Sequence, residues 1–372
     1  LLFLGMFQEE VLYSVALRAT PHIGDVNFMK LIEAAGSAKE AWLLSKKLLK
    51  EIPGFGSRII KDIGNEEFLK FAENELNFCE KNNIKILLRH HNQLPKLLSQ
   101  CDDAPAILYQ KGEYDENLIP VSIVGTRNMT PYGKAFIEEL MTLLKDKNLL
   151  IVSGLALGTD GCAHTEALKN NISTVGVLAH GLHLLYPSQH KKLAKEMLER
   201  GGAILSEFTS NEKPDREHFL QRNRIVAGFS GLTIVVETAF GGGSMSTVSY
   251  ANSYNREVYA LPGKISDPYS QGCNLIISQN KARIISKYQD ILDELGLNKE
   301  KTNIPSLFEP EMITLNQEAQ PIYDCIAKNK QISLDDLSEK LEIPPFKLLP
   351  ILLDLELKSY IKAHSGKQYS IA

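Results

Sequence analysis

Between residues 118 and 286, six short runs rich in Val, Ile and Leu alternate with stretches of helical periodicity, and this succession constrains the fold more than any other feature. The runs are "IPVSIVG", "NLLIVSG", "ISTVGVLA", "AILSEF", "GLTIVVE" and "EVYALPG". Each is almost continuously apolar, so each strand needs cover on both faces, and strand-helix-strand succession supplies it by wrapping helices around a parallel sheet. The expectation is an α/β fold with a doubly wound parallel sheet. Residues 84–112 are expected to form a lead-in that packs on it.

The flanks differ from this core. Residues 7–82 carry apolar residues at three-to-four spacing and read as a helical domain. Within it "EIPGFGSRIIKDI" (51–63) sets Pro53, Gly54 and Gly56 in a turn between two helices, as in a helix-hairpin-helix whose amides face a DNA phosphate, with "TPHIGDVNFMKLI" (20–32) as a degenerate partner. A glycine turn that only lets two helices pack is the competing reading. Residues 287–314 are polar and proline-punctuated, and read as a linker. Residues 315–372 offer three short helices and a hairpin turned at Ser365-Gly366, the pattern of a winged helix-turn-helix. From 310 to 372 there are seven Lys or Arg against nine Asp or Glu, a balance that suits protein contact at least as well as DNA.

In an open parallel sheet the carboxyl ends of the strands define the ligand crevice, so the loops there should converge on one rim. Gly125 permits a turn, and the amides after it, with Thr126 and Arg127, are expected at a helix N-terminus, where the dipole favours an anion. Ser153 and Gly154 open the next loop. Gly241, Gly242 and Gly243 present bare backbone, followed by the hydroxyls of Ser244, Ser246 and Thr247, a second phosphate nest whose competitor is simple close packing. Arg222 and Arg224, two apart at the start of a helical run, point to different faces, so one is free to pair with a carboxylate such as Glu237. Lys264, Lys191 and Lys192 extend or flank the basic patch. Two phosphate-binding loops on one rim suit an extended phosphate chain better than a mononucleotide.

Other chemistries lack their residues. There is no G-x-x-x-x-G-K-[ST] loop, no G-x-G-x-x-G fingerprint and no G-x-S-x-G elbow; His164, His180 and His183 read as structural, and Asp160 as a helix cap. The five cysteines are scattered and never spaced C-x-x-C, which fits a reducing cytoplasm rather than disulfides or zinc, so neither a metal nor a cofactor is expected. No run approaches eighteen apolar residues, so no membrane helix is expected, and the opening "LLFLGMFQEE" lacks the basic leader of a secretory signal, with Met6 a candidate natural start. A net charge of −4 means that any nucleic-acid contact must be a local patch.

Taken in order, "VGTRNMTPYG", "SGLALGTDGCAH", "GVLAHGLHLLYP", "ILSEF", "FLQRNRIVAGFS", "VVETAFGGGSMST", "REVYALPG" and "QGCNLII" closely resemble the DNA-processing protein A (DprA/Smf) family over residues 84–286. The resemblance implies an extended Rossmann-like core (83–286), with optional flanking modules matching the helical block, SAM-like, and the winged helix. It implies a cytoplasmic, non-enzymatic protein that binds single-stranded DNA during natural transformation, helps load the RecA recombinase, and acts as a homodimer. It assigns DNA contact to Arg127 and to the Arg222/Arg224 pair, and a further basic contact to Ser188, Gln189 or His190, where Lys191 and Lys192 stand in. Self-association falls on Leu275, Ile276 and Ile277. The rival is a nucleotide phosphoribohydrolase on a related core, which would need an acid where Tyr250 stands.

Overall fold

The computed structural model describes residues 2–297, 319–329, 331–358, 360–364 and 368–371, with residues 2–7 as backbone alone. It divides into two units, residues 1–298 and 299–372. In the first, nine strands form one sheet: β1 (Ile84–Leu88), β2 (Ile107–Gly112), β3 (Ile119–Val124), β4 (Leu149–Ser153), β5 (Ser173–Leu178), β6 (Ala203–Ser206), β7 (Leu232–Val235), β8 (Glu257–Ala260) and β9 (Arg283–Ile284). Their order is β1-β2-β6-β5-β4-β3-β7-β8-β9. From β6 to β9 every pairing is parallel, while β1–β2 and β2–β6 are antiparallel. The lead-in is therefore sheet: it extends the edge beyond β6.

The apolar runs divide their side chains between two layers, as strands buried on both faces must. In β4, Leu149 and Ile151 join one core with Ile137 and Leu140 of the Pro131–Leu144 helix and Ala163 of the Thr159–Lys169 helix. Leu150 and Val152 join the other with Ile225 of the Arg216–Phe229 helix and Val248 of the Ser244–Ser253 helix. The sheet is thus doubly wound, and the chain reverses its direction of winding between β3 and β7.

Two sequence boundaries change. The helical block shares a continuous core with the sheet edge, in which Val15, Leu17 and Phe28 pack with Ile84, Leu88, Ile107 and Tyr109. A line at 82/83 crosses that core. The start of the expected linker is a helix, Tyr288–Glu294, in which Tyr288 stacks on Phe136 at 5.3 Å and Ile291 is buried. Its polar composition hid the helical spacing of Tyr288, Ile291 and Leu292; most of the remaining linker lies outside the described residues. The turn at Gly54 and Gly56 is exposed, and so is Gly24 in the proposed partner turn. At the partner turn, however, Asp25, first residue of the Asp25–Ala35 helix, accepts from Ala106 N–H at 2.9 Å and from Arg18 at 3.1 Å, so an internal carboxylate already stands at the helix start where a DNA phosphate was expected.

The second unit contains helices Ala319–Lys328, Leu334–Leu341 and Pro345–Leu357 with β10 (Ile332–Ser333), β11 (Ile361–His364) and β12 (Gln368–Ile371), ordered β10-β12-β11. This is a winged helix; the Ser365-Gly366 turn lies outside the described residues.

Candidate nucleic-acid interface

Loops after β3, β4 and β7 meet at the point where the winding reverses, where an open α/β sheet places its crevice. With one face of the Arg216–Phe229 helix they enclose a cleft of about 310 Å³. Its walls include Gly125, Thr126, Arg127, Gly154, Asp160, Phe219, Arg222, Gly242, Gly243 and Ser244. The loops are bound to one another: Thr126 N–H donates to Glu237 O at 2.6 Å, and Thr159 N–H and Oγ1 both donate to Thr126 O at 3.1 Å. A Cβ on Gly125 would lie 2.5 Å from Thr159 Oγ1 and 2.8 Å from Glu237 O, so only glycine allows this convergence.

The first expected phosphate site is already filled. The Pro131–Leu144 helix begins six residues after Gly125, and the buried carboxylate of Glu237 lies at its N-terminal end. Glu237 accepts from Thr130 N–H at 2.8 Å and from Thr130 Oγ1 at 2.5 Å, while Thr130 Oγ1 caps Gly133 N–H at 3.4 Å. A Cβ at Gly133 would meet that carboxylate at 2.6 Å. An internal anion thus satisfies the dipole and donors expected to hold a phosphate. Arg127 instead projects from the loop, exposed, with its guanidinium carbon 5.0 Å from the centroid of the Phe219 ring.

The arginine pair divides differently from either expectation. Arg222 lines the cleft but is buried. Its Nη1 donates to Gly154 O at 2.7 Å and to Val177 O, its Nε to Asn223 Oδ1 at 3.1 Å, and its guanidinium stands 5.9 Å from Phe219. Asp160 is its counter-charge; burial pushes that carboxyl up from the ordinary range while Arg222 pulls it back. Asp160 is no helix cap: Gly158 holds that position, and Asp160 Oδ2 accepts from Ala156 N–H at 3.3 Å. Arg224 faces away from the cleft, bonded to Glu207 at 2.5 Å, to Asp25 at 3.1 Å and to Asp103 O. Its partners are thus Glu207 and Asp25, not Glu237, and a residue so enclosed cannot meet DNA.

Ser153 is also removed as a contact, since it is fully buried and donates to Ile123 O at 2.6 Å. The glycine loop after β7 does reach the cleft through Gly242, Gly243 and Ser244, whereas Gly241 is exposed outside its lining. Asn223 Nδ2 fastens this loop by donating to Gly243 O at 3.1 Å and to Ser246 Oγ at 2.9 Å. Among the described residues the N–H groups of Gly243 and Ser244 donate to nothing, so the Ser244–Ser253 helix presents an open N-terminus to the cleft. Lys191 and Lys264 are exposed but outside the lining. Of the self-association residues, Ile276 is fully buried in the core and cannot form a surface, while Leu275 and Ile277 are half-buried.

Sequence reading passed over Phe219, Asn223 and the role of Asp160. Phe219 had a usable signal: it precedes Arg222 by three positions, which places both on one helical face. His164 is structural, with Nδ1 2.6 Å from Thr174 Oγ1. Among the described residues no helix is long and apolar enough to cross a membrane.

Comparison with known proteins agrees with this geometry. The family model for DNA recombination-mediator protein A matches residues 85–296, and that for the DprA winged helix domain matches 308–367. Protein Smf of Synechocystis sp. is 35% identical over 301 residues, 78% of this chain and 74% of its own. Protein Smf of Escherichia coli is 32% identical over 312 residues, covering 81% and 82%. The DNA processing protein DprA of Bacillus subtilis is 40% identical over 207 residues, covering 55% and 68%. Among solved structures, DprA of Streptococcus pneumoniae superposes with a TM-score of 0.64 at 30% identity, covering 75% of this chain and 95% of that one. DprA of Helicobacter pylori, described for its single-stranded DNA binding mode, gives 0.51 at 29% identity and covers 57% and 95%. With a family model over more than half of its length and relatives more than 30% identical over most of it, the chain belongs to the DNA-processing protein A (DprA/Smf) family.

Proposed function

We propose that this protein is a DNA-processing recombination mediator that binds single-stranded DNA along the strand-end rim. The observation that supports this reading is the pairing, in one open cleft, of exposed Arg127 lying over the Phe219 ring with the unused amides of Gly243 and Ser244. Arg127 supplies a phosphate contact, Phe219 a face for one base, and the two amides a second phosphate contact; none of these distinguishes one base from another. Buried Arg222 positions: it holds the β4 and β5 ends through their carbonyls and lies 5.9 Å from the Phe219 ring. Lys191 and Lys264 provide flanking positive charge. In the same proposal the protein works in the cytoplasm during natural transformation, delivers its strand to the RecA recombinase, and pairs as a homodimer through the surface around Leu275 and Ile277.

The reading is of a binding protein without catalysis. Tyr250, where the phosphoribohydrolase rival needs an acid, packs against the core and stacks on Tyr254 at 6.1 Å, outside the cleft lining. Titrating a fluorescent single strand with the protein against unlabelled duplex tests the proposal. Retention of the single strand under excess duplex is expected, and equal competition by duplex refutes it. Release of free base from nucleoside monophosphates would instead establish the enzyme.

A further inference from the structure

The winged helix exposes a stripe that its own fold does not use. On the Pro345–Leu357 helix, Phe346, Leu349, Leu353 and Leu357 are 70%, 43%, 57% and 77% exposed. At 100° per residue they fall, with exposed Pro350, in an arc of about 100°, while Leu348, Leu352 and Leu355 turn into the core of the unit. In a helix-turn-helix this second helix is the one that enters the major groove, where base edges call for polar side chains. A stripe of this composition offers them no donor or acceptor, and an apolar face of this extent on a soluble domain marks a protein contact.

The borders of the stripe indicate the partner. Lys347 and Asp354 lie seven residues apart, hence on the same border, and Lys347 makes no ion pair among the described residues. Asp354 is held only by Lys358, at 2.8 Å, in a half-exposed pair that exchanges readily. Two such helices laid antiparallel about a twofold axis near residue 351 bring Phe346 of one copy opposite Leu357 of the other. The same axis sets Leu349 opposite Leu353, and Lys347 opposite Asp354 in both directions. This is the self-complementarity an isologous contact requires.

We infer that the winged helix is a self-association module in which a second copy of this chain covers the Phe346/Leu349/Leu353/Leu357 stripe. Four side chains per copy amount to roughly half of the ~800 Å² per partner of a standard interface, so the contact is concentration-dependent. The inference does not rest on the DNA-binding reading. Combined with pairing through the core, it would join two core dimers into a tetramer, the dihedral arrangement that two isologous surfaces on one molecule can build.

The test is sedimentation velocity on the full chain over a wide concentration range. Leu353→Glu should lose one twofold step in mass, from dimer to monomer if the core does not pair and from tetramer to dimer if it does, with binding of single-stranded DNA at low protein concentration unchanged. Lys347→Glu and Asp354→Lys should each raise the concentration at half-association about fivefold or more, on the scale of one exposed charge contact turned repulsive, and the double variant should restore it. These positions are exposed, and circular dichroism confirms that each variant folds. An unchanged mass distribution for Leu353→Glu, or a double variant no better than the singles, overturns the inference and assigns the stripe to a different protein or to another segment of the chain.

Discussion

Replacing Arg127 with alanine removes a charge from the cleft without disturbing the fold. In the free protein Arg127 is exposed and rests on Phe219 at 5.0 Å, a contact worth about 0.5–1 kcal/mol at an exposed site, so unfolding should change by no more than about 1 kcal/mol. On DNA the loss is larger. A hydrogen bond to a charged group contributes about 1.5–3 kcal/mol, and the lower end applies to a cleft open to water, so affinity should drop about tenfold. The salt response separates this contact from general weakening. Each neutralised phosphate on a single strand contributes about −0.7 to the slope of log K against log salt, and Arg127→Ala should make the slope shallower by that amount. Arg127→Lys should keep the slope while losing part of the affinity, since an ammonium lacks the planar fork and the stack. Anisotropy of a labelled oligonucleotide between about 50 and 200 mM salt reads both quantities, because a fourfold change in salt moves K by about 2.6-fold per phosphate. If affinity and slope both stay at wild-type values in Arg127→Ala, the guanidinium does not touch the backbone and the proposed path is wrong.

Phe219→Ala should cost about 1–3 kcal/mol of single-strand affinity with the slope unchanged, and should abolish the quenching of one 2-aminopurine placed along the strand; quenching that survives would assign the stack elsewhere. Arg224→Ala should behave as a folding defect: it leaves buried Glu207 without its cation and Asp25 with Arg18 alone, and chemical denaturation should show a loss of about 3–5 kcal/mol, while the protein that remains folded keeps its salt slope. Burial pushes His164 down to about 3. The native state therefore binds fewer protons than the unfolded chain between that value and about 6.5, and the stability held at neutral pH is lost as pH falls through this window. From pH 7 to 5 the loss should be about 2 kcal/mol, and His164→Gln should remove that part of the acid slope; an identical pH profile in the variant would place the proton elsewhere.

Much of the fold was legible because strands covered on both faces leave a signal that needs no tertiary knowledge. "NLLIVSG" can be buried on alternate sides only as an inner strand, and β4 is one. β1 and β2 were not legible as strands, since "IKILL" is one short run beside a helical block and "ILYQKG" is half polar, and both owe their cover to that block. At the cleft, the convergence of loops followed from topology, but the solvent side of a two-residue spacing did not. Arg222 and Arg224 do face opposite ways as their spacing requires, yet each direction leads into the protein: one to strand-end carbonyls, the other to carboxylates from distant segments. Glu237 shows the same limit. Its carboxylate fills the helix end that sequence assigned to an outside anion, and its proximity to Thr130, 107 residues away, exists only once β3 and β7 are neighbours.

The helix that carries Phe219 toward the cleft also carries Arg224, which grips Asp25 at the start of a helix in the N-terminal block. The two side chains are five positions apart, about 7.5 Å along one rigid rod. Anything that tugs on that block therefore pulls on the Phe219 ring through barely one and a half turns, so a contact made at the amino-terminal end has a short mechanical route to the cleft.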